Sequence, residues 1–390
     1  MKSLRDIVES SPHLRATAMH SLRLEEEPQP LGPPLWDWAE VRSVLVIRLR
    51  SIGDTVLATP SLHALKRFLP DARIDILVED WVAPVLEGFP YVDNVLTLKR
   101  NSTTARARAM RQLRSLRYDV VYNLHGGTTA TLLTRASGAT RRVGLATYQY
   151  SRLYTHLAPS PLILWKRAQT HSVEQQLALL GWTGVPVSDR PPTQLAVVDH
   201  AAVSVSTRLR AAGWNEQQPL AVIHPAAAFA TKQWSAENFA RVAEHLYDRG
   251  LAVVVITAPA EAEVGALVEG LSAAPVINFS DLSLPEVTAL ASRARVFVGN
   301  DSGIAHIAAA VGLPSVVIFG SSNVAHWRPW ATAPAEVVLE EMDCQPCHGY
   351  YCEKFAQPEC ILRVPLERVI GAVDRVLRES EWQSRNGDGP

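Results

Sequence analysis

Three short runs combine residue types that can do chemistry at a strand end. The richest is Val298-Gly299-Asn300-Asp301-Ser302-Gly303-Ile304-Ala305-His306. An apolar run ends, a small polar turn follows, and a helical pattern begins near Gly303. Backbone N–H groups at a helix start can bind phosphate oxygens. Ser302 adds a hydroxyl donor, Gly303 lets a ligand approach the backbone, and His306 lies one turn on. The alternative is a capped helix with a half-buried histidine. In a second run, His224 to Trp234, small residues leave room for a bulky ligand. Lys232 offers a point charge for a phosphate there, unless it is a solvated surface lysine. In the third, Glu261 follows Thr257-Ala258-Pro259-Ala260. It either accepts hydrogen bonds from ribose hydroxyls or serves as a first-turn helix carboxylate.

A fourth run, Arg48-Leu49-Arg50-Ser51-Ile52-Gly53-Asp54-Thr55, joins an apolar strand to a helix. It is neither a dinucleotide fingerprint nor a phosphate-binding P-loop. Gly53 is its one glycine. Asp54 sits at the expected helix start, where it reads either as a capping residue or as a carboxylate able to take a proton from a substrate hydroxyl. A helix N-terminus lowers a carboxylate's basicity, so a working base needs compensation from burial or a neighbouring charge.

Positioning these runs calls for strands that alternate with helices. Residues 44–47 form a continuous apolar run, as in a strand buried on both faces. A helix is expected over 55–69, and further strands over 73–78 and 118–124. The last ends at His125-Gly126-Gly127. The pattern weakens over 184–218, where Gly184, Pro186, Pro191 and Pro192 suggest a linker. It then restarts. Strands are expected at 220–224, 251–257, 276–279, 296–299 and 315–319. Helices are expected at 236–249, 261–271, 284–293 and 303–311, with a closing helix at 365–378. This is α/β patterning in two similar parallel-sheet sandwiches, without a close sequence repeat. The expected division is a poorly structured extension at 1–40, a first domain at 41–183, the linker, and a second domain at 219–390. Ligands of open parallel sheets bind outside the carboxyl ends of the strands, so two facing domains would enclose a cleft.

Length and composition agree. At 390 residues, two domains are the natural division. Lys and Arg number 38 against 39 Asp and Glu, which argues against a general nucleic-acid binder. No apolar run approaches the roughly 18 residues of a membrane span. The opening 20 residues lack the apolar core of a signal peptide, so a cytoplasmic protein is expected. Within 99–117 there are seven basic residues and no acid. Arg111, Arg114 and Arg117 recur every three residues along a helix face. That is either a solvated face or a landing patch for an anionic glycolipid or the inner membrane surface. All four cysteines fall in one loop, Cys344-x2-Cys347-x4-Cys352-x7-Cys360. Four thiolates suit structural Zn²⁺ or iron, with His348 as a spare ligand. Free structural thiols are the alternative. A catalytic zinc is not expected, because four cysteines leave no open position.

On the Ser-Ile-Gly-Asp-Thr, Lys-x-Trp and Gly-Asn-Asp-Ser-Gly-Ile-Ala-His runs, in that order, the chain resembles the glycosyltransferase family 9 heptosyltransferases. The likeness covers about residues 44–377. It implies a GT-B fold of two facing Rossmann-like domains. It also implies inverting transfer of heptose from an ADP-activated donor to a lipopolysaccharide core, with no cofactor required for catalysis. Carried over, Asp54 resembles the family's general base and Lys232 its donor-phosphate lysine. Asp301, Ser302, Gly303 and His306 resemble the donor site. Glu261 resembles the adenosine-side carboxylate, with Glu263 as the alternative alignment. Gly53, His125, Gly126, Arg141 and Arg142 resemble acceptor-side positions. The extension before residue 44 departs from the family.

Rival readings are another nucleotide-sugar enzyme of the same shape, such as an epimerase, and a non-catalytic nucleotide-binding protein. A dehydrogenase is weakest, since neither half opens with a glycine fingerprint.

Overall fold

A computed structural model describes residues 27–347 and 351–386. The first half contains β1 (Ser43–Ile47), α1 (Ile52–Val56), α2 (Thr59–Phe68), β2 (Arg73–Glu79) and β3 (Asn94–Leu98). It continues with α3 (Thr103–Leu116), β4 (Val120–Asn123), α4 (Thr128–Ala136), β5 (Arg141–Leu145), β6 (His156–Ala158) and α5 (Ser172–Trp182). α6 (Asp199–Ala211) leads to the second half: β7 (Leu220–His224), α7 (Ala236–Asp248), β8 (Ala252–Ile256), α8 (Ala262–Leu271) and β9 (Val276–Phe279). Then come α9 (Leu284–Ala291), β10 (Ala294–Asn300), α10 (Gly303–Ala310), β11 (Ser315–Phe319), β12 (Ala335–Leu339) and α11 (Leu366–Asn386).

The two sheets are six-stranded and parallel, in the orders β3-β2-β1-β4-β5-β6 and β12-β11-β10-β7-β8-β9. Counted within each half, both read 3-2-1-4-5-6. In each, the order reverses between the first and fourth strands. The switch points are therefore β1/β4 and β7/β10, and ligands bind at such points. The central strands are apolar on both faces because helices cover both. Every residue of β1 and of β7 is buried. This is the expected GT-B arrangement.

Several boundaries differ from the sequence expectation. The helix expected over 55–69 starts earlier, at Ile52, and breaks between Val56 and Thr59. The linker stretch 184–218 contains α6, whose Ala201, Val205 and Leu209 are buried at four-residue spacing as it packs on α9. Of the stretch 1–40, residues 1–26 lie outside the described residues. Residues 27–40 run along α5: Leu31 and Gly32 donate to the Gly181 carbonyl, at 2.9 and 3.0 Å. The Trp38 indole donates to the Thr183 carbonyl, at 3.1 Å. Among the described residues, no helix is long and apolar enough to cross a membrane.

The halves also meet away from the sheets. His171 Nε2 lies 2.8 Å from the Arg328 carbonyl, and its ring stacks on Trp330. Trp330 in turn donates from its indole to the Pro191 carbonyl, at 3.0 Å.

Candidate active site

The loops that follow β1, β7 and β10 line one cavity of about 540 Å³, within the range of small-molecule sites. Its first wall is Ser51, Ile52, Gly53 and Asp54, with Trp81 from the loop after β2. The opposite wall holds His224, Phe229, Lys232, Glu261, Asp301, Ser302, Gly303 and His306.

On the first wall, Ser51 caps α1 with extended backbone, and Asp54 occupies the third helical position. The Asp54 carboxylate accepts the Ser51 N–H at 3.0 Å and the Ser51 hydroxyl at 3.3 Å. It also pairs with the Arg48 guanidinium, which donates in addition to the Leu124 carbonyl. The capping and functional readings of Asp54 are thus compatible: the cap orients a carboxylate that still lines the cavity. His125 and Gly126 follow β4, held by the Asn123 side-chain oxygen, which accepts both backbone N–H groups at 2.9 Å. A Cβ on Gly126, whose φ is 76°, would meet the Tyr148 ring at 2.6 Å. Burial, aided by the positive charge of Arg48, lowers the pKa of His125 to about 4. His125 is therefore neutral at pH 7.

On the second wall, Asn300 ties two loops together. Its side chain accepts the Trp234 N–H at 3.1 Å and donates to the Pro225 carbonyl at 2.7 Å. Lys232 Nζ reaches Asp301 Oδ2 at 2.8 Å, and Ser322 donates to the same oxygen. Ser302 begins α10 without a side-chain cap, and its buried hydroxyl has no partner. His306 Nδ1 is likewise buried and unpaired, and burial holds its pKa below the usual imidazole value. Two orphaned polar atoms beside open helix N–H groups fit a polar ligand. Glu261 accepts the Ala258 N–H at 3.3 Å. It lines the cavity and Glu263 does not, so the alternative alignment is set aside.

The walls touch at two glycines. A Cβ on Gly303 would stand 3.1 Å from the Gly53 nitrogen and 2.9 Å from Ile52 Cβ. A Cβ on Gly53 would stand 2.7 Å from the His306 ring. Glycine at both helix starts lets α1 and α10 abut, bringing Asp54 to the second wall.

Arg141 and Arg142 are not part of this site. They begin β5, at the amino ends of the strands, opposite the cleft. Arg141 lies over the Trp36 ring and near Glu40, whereas Arg142 donates to the Ala139 and Leu153 carbonyls. Sequence reading missed Trp81, Trp327 and the orienting Arg48. His224 opened the second run but was given no role of its own. Its Nδ1 lies 2.8 Å from the Ile256 carbonyl, which leaves Nε2 as an acceptor in the cavity.

The cysteine loop packs beside the second wall through Cys347 N–H on the Ser321 carbonyl, at 2.9 Å. The four thiols are free, and Cys347 Sγ donates to the Cys344 carbonyl at 3.0 Å. Burial and the neighbouring thiols raise Cys360 to about 11, which keeps it protonated. Among the described residues, no group of three or more His, Cys, Asp or Glu is arranged to hold a metal. The expected Zn or Fe site at Cys344, Cys347, Cys352 and Cys360 is therefore not supported, and His348 lies outside the described residues.

Comparison with known proteins gives a consistent result. The family model described as glycosyltransferase family 9 (heptosyltransferase) matches residues 106–355. The chain is 28% identical over 360 residues to lipopolysaccharide heptosyltransferase 3 of Escherichia coli, covering 85% of this chain and 98% of that protein. The solved ADP-heptose lps heptosyltransferase II of E. coli superposes with a TM-score of 0.71 at 23% identity, over 87% of this chain and 99% of that one. E. coli heptosyltransferase WaaC, solved with ADP-2-deoxy-2-fluoro heptose, superposes with a TM-score of 0.60 at 20% identity, over 86% and 99%.

Proposed function

The chain belongs to glycosyltransferase family 9, and from that premise we propose that it is an inverting heptosyltransferase. It moves heptose from an ADP-activated donor to a lipopolysaccharide core or related anionic glycolipid, in the cytoplasm, with Asp54 as general base. The observation that carries this reading is the single cavity whose opposite walls hold Asp54 and the Lys232–Ser302–Gly303 group. Three carboxylates line it. All three are bonded, Asp301 to Lys232 and Ser322, Glu261 to a backbone N–H, and Asp54 to Arg48 and Ser51, so position and not a free carboxylate separates them. Asp54 alone is on the acceptor wall.

In this mechanism the acceptor hydroxyl attacks the anomeric carbon from the face opposite the diphosphate. The C–O bond to ADP breaks as the new glycosidic bond forms. Asp54 takes the hydroxyl proton. The ammonium of Lys232 and the N–H groups at the start of α10 balance the negative charge that grows on the leaving diphosphate. Such stabilisation is often the largest catalytic contribution, and here it calls for no catalytic metal. Glu261 and the His224 acceptor nitrogen suit the hydroxyl and amine donors of an adenosine.

The test is ADP release from ADP-heptose by purified protein, with and without a heptose-acceptor core glycolipid. Release that requires the acceptor supports transfer. Nucleotide release without any acceptor would replace it with epimerase-like or hydrolytic chemistry.

A further inference from the structure

The charge of the chain is balanced overall but sharply segregated. Residues 94–173 contain thirteen Lys or Arg and a single acid, Asp119. That acid is consumed at the base of β1, where it accepts the Arg42 and Ser43 N–H groups at 2.9 Å each. The surplus is concentrated on one side of the first sheet. α3 buries Ala109 and Leu113 against it and turns Arg108, Arg111 and Arg114 to solvent, as is Arg117 just beyond. α4 packs on α3 and adds the exposed Arg135, and the turn Ser151–Leu153 packs on α4 and adds Arg152. None of these six arginines forms an ion pair with a described residue, and no acid lies on α3, α4 or that turn. Two large apolar side chains are exposed on the same elements: Leu132 of α4, 45% exposed, and Tyr150 before the turn, 41% exposed.

We propose that this α3–α4 face docks the protein on an anionic lipid bilayer. A lone phosphate or a free anionic sugar does not match its extent. The 14 residues of α3 run about 20 Å, and the basic groups spread across two helices and a turn. A field of like charge with exposed apolar groups within it suits a surface that offers many anionic headgroups above an apolar layer. The placement also serves the chemistry. α4 begins at Thr128, directly after the His125–Gly127 turn that neighbours Arg48 and Asp54. The helix that rests on the lipid therefore opens at its first turn onto the acceptor wall. The need for a bilayer rests on the reading of the acceptor as a glycolipid; the binding itself is measurable without any transfer.

The experiment is co-sedimentation of the full-length protein with phosphatidylglycerol-rich vesicles and with phosphatidylcholine vesicles, at low and high salt. Wild type should bind the anionic vesicles, release at high salt and ignore the neutral ones. Arg108→Gln/Arg111→Gln/Arg135→Gln should weaken binding about 100-fold, on the usual contribution of each basic residue near such a surface. The same variant should turn over a delipidated core acceptor at the wild-type rate. Equal vesicle binding by the variant, or none by wild type, would overturn the proposal while transfer to the delipidated acceptor left the enzymatic reading intact. Preference for an RNA duplex over the vesicles would also overturn it. Vesicle binding without transfer to any acceptor would leave the docking face standing and remove the transferase reading.

Discussion

Lys232 Nζ lies 2.8 Å from Asp301 Oδ2, joining the loops that follow β7 and β10 at the switch point of the second sheet. The lysine is 23% exposed and the aspartate 6%, so this pair stands at the border between protein interior and cavity. Its nitrogen can turn to a ligand phosphate without leaving the carboxylate.

Removing that cation should cost both donor binding and stability. Lys232→Ala leaves a buried carboxylate with only the Ser322 hydroxyl, and breaking a buried pair typically costs about 3–5 kcal/mol. The expected result is a lower melting temperature, a weaker thermal response to ADP, and kcat/KM reduced at least about 100-fold. Lys232→Met with normal turnover would contradict the assignment.

The contact between Gly53 and His306 predicts that the smallest side chain is already too large. A Cβ at Gly53 would approach the buried His306 ring at 2.7 Å. Gly53→Ala should push α1 from α10, lowering kcat more than about tenfold while the far-UV spectrum stays native. The backbone there has no positive φ, so a loss would report the wall-to-wall fit alone.

Stability should fall in mild acid. Burial lowers His171 to about 3 and His125 to about 4. Both are neutral in the folded chain at pH 7, and unfolded histidines bind protons near pH 6.5. Between those values the unfolded state holds more protons, so stability rises with pH and is lost as pH drops from about 6.5 towards 3–4. Each group contributes at most about 1.4 kcal/mol per pH unit. His171 Nδ1 accepts the Val173 N–H at 3.1 Å, and protonation removes that acceptor. Melting temperatures at pH 7 and pH 5 should differ clearly in wild type and less in His171→Gln.

Chelation should leave transfer intact. On the proposed mechanism Lys232 and the start of α10 oppose the charge of the diphosphate, so EDTA should change kcat less than about twofold. Loss of turnover that magnesium restores would mean that this charge comes from elsewhere.

Much of the fold was legible because the central strands are buried on both faces. Runs such as Val44-Leu45-Val46-Ile47 and the segment Ser315–Phe319 announce themselves without periodicity. The peripheral strands β3, β6 and β12 did not, because they are short or partly exposed and lack such runs. β5 was hidden by its two leading arginines, which the structure places at the amino ends of the strands, away from the cavity. Local sequence shows that Arg141 and Arg142 precede Val143-Gly144, but not that a parallel strand puts its start far from the cleft. α6 was hidden by its thin apolar stripe of three residues. In the site, Asp54, Lys232 and Asp301 were found because each lies in a compact run after a strand. Arg48, Trp81 and Trp327 reach the cavity or its carboxylate from separate segments, and only the packing brings them together.

The most direct measurement is single-turnover transfer by Asp54→Asn. Asparagine keeps the size of the side chain and an oxygen for the Ser51 N–H, but it cannot take the acceptor's proton. The expected rate is about 10²–10⁴-fold below wild type, with the thermal response to ADP unchanged. Turnover within a few-fold of wild type would contradict the role of Asp54 and, with it, the arrangement of acceptor wall facing donor wall.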